Sequence, residues 1–221
     1  MAPGALLLGN LGQSFECSHE HHCGDRCLSF HFEPEAFEEI ARCVPGANKL
    51  SFDAPRVPPL TRFVPLIAEA EAARDSNDNA ALEEIAFRIA GATLKTILGA
   101  GVDSPALSRR DEQRVTTVLR HIGTAFDENL SLADLAGEVF TSRYHFLRIF
   151  QRAVGQTPRQ YILRTRLQRA LQKMRLTNDN ISTIALEVGF EDISTFDRFF
   201  RRVLGVSPSN YRKRARAANK I

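Results

Sequence analysis

From about residue 112 to the end of the chain, apolar positions recur every three or four residues, the period of helices with one buried face. In DEQRVTTVLRHIGTAF the stripe is Val115, Val118, Leu119, Ile122 and Phe126. Ser131 then opens SLADLAGEVF as an N-cap, with Asp134 three residues on in a capping-box arrangement. The first half of the chain is more mixed. Pro34 suits the first turn of a short helix, EAFEEIARC. Two longer helices are predicted over 61–74 and 78–98, the second with Leu82, Ile85, Ile89, Leu94, Ile97 and Leu98 on roughly one face. Residues 5–33 instead read as short strands, ALLLGNLG, QSFEC and CLSFHF. In the last of these Leu28, Phe30 and Phe32 alternate with Ser29 and His31. Residues 45–60 hold Pro45, Gly46, Pro55, Pro58 and Pro59 and read as irregular or edge structure. The segment GAGVDSPALSRRD has linker composition. The expected fold is therefore mainly α. A small α+β domain spans 1–103, a linker 104–111, and an all-α domain 112–217.

The second half repeats itself. FLRIFQRAVGQTPRQYI begins at Phe146 and FDRFFRRVLGVSPSNYR begins at Phe196. Phe146, Arg148, Phe150, Gly155, Pro158 and Tyr161 return as Phe196, Arg198, Phe200, Gly205, Pro208 and Tyr211, fifty residues later each time. Upstream, Leu132, Leu135 and Ala136 return as Ile181, Ile184 and Ala185 at an offset of forty-nine. One extra residue must therefore lie in the turn of the second copy. Each copy reads as a short helix, a tight turn near Phe140-Thr141 or Gly189-Phe190, and a second helix with a phenylalanine stripe: a helix-turn-helix. Gly155 and Gly205 end the second helices, and Thr157-Pro158 and Ser207-Pro208 start new ones. The helix from Pro158 to about Arg175 joins the copies. At 1.5 Å per residue it spans about 27 Å, close to the ~34 Å between major-groove segments one turn apart on a duplex.

Charge sharpens this division. The net charge of +3 conceals 10 Lys and Arg against 15 Asp and Glu in residues 1–110, and 19 against 11 in residues 111–221. A basic half points to a polyanionic partner. Composition is that of a globular protein, 43% hydrophobic and 25% charged. No apolar run reaches the ~18 residues of a membrane span. The start lacks the positive region of a signal peptide. These features lead us to expect a cytoplasmic protein with reduced thiols and no membrane partner.

Residues 112–214 resemble the DNA-binding domain of the AraC/XylS family of transcription regulators. The second copy carries most of the likeness: IALEVGFEDISTFDRFFRRVLGVSPSNYR has the family's Gly-Phe turn, its Phe stripe, G-x-S-P and a final Tyr-Arg. The resemblance implies two helix-turn-helix units, double-stranded DNA as partner, a homodimer, and contact with RNA polymerase in an activator. It implies no cofactor, and the small-molecule effector is unknown. Residues facing away from the phenylalanine stripe are Arg143, Tyr144, Leu147 and Arg148 in the first copy. In the second they are Ile193, Ser194, Thr195, Asp197 and Arg198. Arg148 and Arg198 are expected at base edges or nearby phosphates, because guanidinium matches guanine O6 and N7. Arg152, Arg201, Arg202 and Arg212 are expected at phosphates. The resemblance also implies a cupin-like sensor before this domain, of which residues 5–33 would be the last strands.

One cluster stands apart. CSHEHHCGDRC gathers Cys17, His19, His21, His22, Cys23 and Cys27, all zinc-ligand types. Three readings follow: a hairpin of the cupin-like domain with Gly24-Asp25 as its turn, a metal- or thiol-responsive sensor, and a zinc-dependent enzyme with Glu20 or Asp25 as base. The hairpin reading is preferred, since a structural zinc needs four well-placed ligands. The protein is then not an enzyme. Cys27 and Cys43 are expected to point inward as small apolar residues.

Overall fold

A computed structural model describes residues 5–13, 27–47, 51–52, 54–99 and 107–218. Helix dominates, as the periodicity predicts. The order is β1 (Leu6–Leu7), α1 (Pro34–Arg42), β2 (Arg56–Val57), a 3-10 turn (Thr61–Phe63), α2 (Val64–Asp75), α3 (Asn79–Ile97), α4 (Arg109–Ala125), α5 (Leu132–Glu138), α6 (Arg143–Val154), α7 (Pro158–Leu176), α8 (Ile181–Glu187), α9 (Ile193–Leu204) and α10 (Pro208–Ala218). The chain forms two compact units. The first is Met1–Ala106 together with Ser142–Arg148, and the second is Leu107–Thr141 with Ile149–Ile221. Helix α4 begins inside the stretch expected to be linker.

The first unit is built on the α2–α3 hairpin. Asp78 caps α3 by accepting from the Ala81 amide at 3.0 Å, and Arg88 of α3 pairs with Glu69 of α2. Between the helices, Ala70, Ala73 and Ile85 form a buried cluster. The expected CLSFHF strand is not one. Residues 27–33 have no regular secondary structure. The alternation of Phe30 and Phe32 is still used, but helices provide the burial. Phe30 packs on the α2–α3 cluster. Phe32 lies 6.4 Å from Phe37 of α1 and 6.2 Å from Phe87 of α3. Among the described residues the one sheet is a two-residue antiparallel ladder, with Leu6 opposite Val57 and Leu7 opposite Arg56. The QSFEC strand falls largely on residues 14–26, outside the described residues.

The second unit follows the repeat. Ser131 and Asp134 form a capping box at α5, and Thr157 and Gln160 form another at α7. Left-handed Gly155 and Gly205 end α6 and α9. The turn of the first copy runs from Val139 to Ser142 and that of the second from Val188 to Asp192, which locates the extra residue. Both turns close in the same way. Phe140 and Thr141 donate their amides to the carbonyls of Gly137 and Ala136, at 3.1 and 3.0 Å. Gly189 and Phe190 donate to Leu186 and Ala185, at 2.9 and 3.0 Å. Phe190, Phe196, Phe199 and Phe200 then fill a core with Leu163, Leu167, Ala170 and Met174 of α7. Edge-on ring pairs lock it, Phe190 to Phe196 at 5.0 Å and Phe196 to Phe200 at 5.4 Å.

Equivalent turn positions thus hold different residues in a left-handed backbone, Phe140 at φ 53 and Gly189 at φ 92. Gly189 has no room for a side chain, since a Cβ would lie 2.6 Å from the Asp127 carbonyl oxygen. Phe140 is 90% exposed, so its ring gains little burial to offset the unfavourable backbone. We expect Phe140→Gly to leave the fold intact and raise stability by about 1 kcal/mol, less whatever the freer unfolded chain takes back. Thermal denaturation followed by circular dichroism checks this; a lower melting temperature contradicts it.

Candidate nucleic-acid interface

The second helix of each repeat is the element that a helix-turn-helix offers to a groove. In the second copy, α9 is started by Asp192. Its carboxylate accepts from the Thr195 amide at 2.7 Å and from the Thr195 hydroxyl at 2.8 Å. These bonds hold the Asp192 carboxyl below its usual range. Phe196, Phe199 and Phe200 are buried, so the opposite face is turned out. Ile193, Ser194, Arg198, Arg201 and Arg202 are all exposed there. Asp197 accepts from Nε of Arg201 at 2.7 Å, and Arg202 stands over the Phe199 ring at 5.2 Å. Arg198 lies within reach of the Thr195 hydroxyl, at 3.5 Å. The structure therefore collects the expected residues of α9 on one cationic face. Within it Thr195 serves the cap and Asp197 orients Arg201.

The first copy is different. The start of α6, Ser142–Arg148, belongs to the first compact unit. Arg143 pairs with Glu83 of α3 at 3.1 Å and covers the Phe87 ring at 5.2 Å. Arg148 donates from Nη1 to the Cys43 carbonyl at 2.5 Å. Leu147 is fully buried, and Tyr144 is 5% exposed. The Tyr144 ring rests on α3 at Gly91, where a Cβ would stand 2.0 Å from the phenol oxygen. Burial pushes the Tyr144 phenol up to about 12, against the nearby Arg148 charge. Three of the four residues read as outward-facing from the α6 stripe thus meet α3 or the end of α1, and the fourth, Leu147, is buried. The helix period is right, but the opposite face also has an apolar and acidic partner. Arg152, in the last turn of α6, is exposed.

Sequence reading missed two side chains of consequence. Glu83 carries no local signal, because its partner lies sixty positions away. Arg166 did carry one. It sits between Ile162 and Ala170 at four-residue spacing, a charge inside an apolar stripe. Cys17, His19, His21, His22 and Cys23 lie outside the described residues. Cys27 is exposed where an inward orientation was expected, and Cys43 is half-buried, its thiol pushed up by burial. No group of three His, Cys, Asp or Glu able to hold a metal occurs among the described residues. No helix among them is long and apolar enough to cross a membrane.

Comparison with known proteins bears on the same region. The family described as a helix-turn-helix domain matches residues 135–214. Over 107 residues the chain is 35% identical to the Transposon Tn10 TetD protein of Escherichia coli, covering 47% of this chain and 78% of TetD. It is 32% identical over 109 residues to the HTH-type transcriptional activator AarP of Providencia stuartii, covering 48% of this chain and 81% of AarP. A solved transcriptional regulator with an AraC-type DNA-binding domain, from Chromobacterium violaceum, aligns with 28% identity and a TM-score of 0.45. That alignment covers 49% of this chain and 96% of the other. The chain spans only 33 to 41% of the length of several other curated relatives.

The burial of Tyr144 has a measurable consequence. With its folded pKa raised, the contribution of Tyr144 to stability is complete below pH 10 and is lost as pH rises towards about 12. A tyrosinate absorbance titration is expected to include a step near pH 12 from Tyr144. Tyr144→Phe should remove that step. A late step that survives the substitution assigns it elsewhere.

Proposed function

The chain belongs to the AraC/XylS family of transcription regulators, and from that membership we propose that it binds double-stranded DNA sequence-specifically in the cytoplasm and regulates transcription there. The observation that carries the reading is the duplicated unit with its exposed cationic α9. The reading helices are α6 and α9, one in each of two successive major-groove segments. Arg198 reaches base edges or adjoining phosphates, while Arg201, Arg202 and Arg152 neutralise phosphates. Ile193 and Ser194 lie at the start of α9, where a recognition helix meets the bases. The domain division that fits this reading is 1–103, 104–111 and 112–217.

Reading by α6 has an energetic condition. Arg143 and Arg148 must exchange Glu83 and the Cys43 carbonyl for DNA. The Arg143–Glu83 pair is about one-third exposed on both sides, 37% and 35%, so it holds little energy, roughly 0–1 kcal/mol. Burial of Tyr144 and Leu147 holds α6 more firmly, since withdrawing an apolar side chain of this size from water stabilises by about 1.5–3 kcal/mol. Reading by α9 requires neither exchange.

The proposal is tested with duplexes selected by the wild-type chain from random-sequence DNA and titrated in a mobility-shift assay. Arg198→Ala should lower affinity about tenfold or more, the loss of a bidentate contact, with an unchanged circular dichroism spectrum. The logarithm of affinity should fall with the logarithm of salt by about 0.9 per phosphate neutralised. Failure to select any duplex, or unchanged affinity on removing Arg198, Arg201 and Arg202 together, sinks the reading. Glu83→Gln, which removes the carboxylate competing with phosphate for Arg143, should raise affinity by up to about threefold. A decrease instead would place Glu83 in support of binding.

A further inference from the structure

The apolar stripe of α7 is interrupted by one charge. Arg166 is 4% exposed, too deeply buried to reach a phosphate. Its Nε donates to the Phe126 carbonyl and its Nη2 to the Glu128 carbonyl, both at 2.7 Å. These carbonyls lie where α4 ends and the chain turns towards α5, the first helix of the first copy. The Phe126 carbonyl stands at the negative end of the α4 dipole, which favours a cation. Arg169, three residues on, stands over the Phe126 ring at 5.2 Å.

The second copy arrives at the same point. A Cβ on Gly189, in the α8–α9 turn, would lie 2.7 Å from the Asp127 Cα and 2.9 Å from Nε of Arg166. The connecting helix, the entry to the first helix-turn-helix and the turn of the second therefore meet around one guanidinium. Burial and Arg159 lower its pKa, while Glu191 and Asp127 raise it. The result, about 10, keeps it charged at neutral pH. An apolar residue of the same length would fill the space but leave two carbonyls without these donors.

We infer that Arg166 is a positioning residue for DNA recognition. It fixes the separation and rotation of the two helix-turn-helix units, and so the spacing of base-pair segments that the chain accepts. The inference rests on the DNA-reading proposal above. One added base pair moves the second segment by about 3.4 Å and about 35° around the duplex axis. Two units held rigidly tolerate neither change, whereas two units joined only by α7 and its apolar contacts tolerate part of it.

The test uses the full chain and a selected, footprinted duplex, lengthened or shortened by one base pair between its two protected segments. For the wild type, either change should lower affinity about tenfold or more, because protein or DNA must deform. In Arg166→Met that penalty should shrink to about threefold or less, while affinity for a duplex holding only the α9 segment stays within about twofold. A role in stability alone would shift all duplexes together and leave the penalty unchanged. Arg166→Lys keeps the charge and loses the fork; an intermediate penalty is expected, and this variant carries the comparison if the methionine variant does not fold. Wild-type penalties in a folded Met or Lys variant overturn the inference, as does a wild type indifferent to spacing. A wild type that selects no duplex overturns the DNA-reading proposal instead.

Discussion

A buried guanidinium that donates to two main-chain carbonyls is the constraint around which the second unit is arranged. Taking such a charge out of water costs several kcal/mol unless its donors are met. Here the Phe126 and Glu128 carbonyls meet two of them at 2.7 Å. Leaving a buried donor or acceptor of this kind without its partner costs about 1–3 kcal/mol, a noticeable share of the stability of a domain this size. The penalty also gives direction. Apolar packing between α7 and α9 tolerates small slides, because dispersion is nearly isotropic. Two charge-assisted bonds at fixed angles do not. The phenylalanine core supplies most of the burial, and Arg166 supplies the registration.

The two copies share most of their backbone features, the extra turn residue of the second aside, in unequal circumstances. Phe146 and Phe150 recur as Phe196 and Phe200, Thr157 and Ser207 each accept from the amide three residues on, and the turn hydrogen bonds are the same. What differs is what meets the outer face of the second helix. On α9 three of the six exposed residues are arginines, Arg201 oriented by Asp197 and Arg202 by the Phe199 ring. At the start of α6 the corresponding face carries Tyr144 and Leu147, large and apolar, and these are buried. An exposed helix face and one packed against another element have nearly the same period, and here composition separates the two copies of the repeat.

That distinction also marks what the sequence disclosed. Helix extents in the second half, the capping residues, the offset of fifty and the extra turn residue are local or periodic features, so they were legible. The pairing of Arg143 with Glu83 joins residues sixty apart, and no pattern in either segment announces it. CLSFHF has the alternation of a strand, yet strands need ladder partners, and Phe30 and Phe32 found helices instead. Arg166 was visible as an interruption of a stripe. Its partners were not, because they are main-chain carbonyls, which every residue possesses.

The left-handed turns leave the repeat free to diverge on one side only. Around Gly189 the Asp127 backbone and Arg166 close the space completely, so any side chain there must displace main chain. Phe140 stands at the equivalent point with solvent around it. Whatever side chain accepts the backbone there can be exchanged without disturbing a neighbour. Of two equivalent turn positions one is thus open to exchange and its counterpart closed, and the difference lies in the Asp127 main chain and the Arg166 side chain that stand against Gly189.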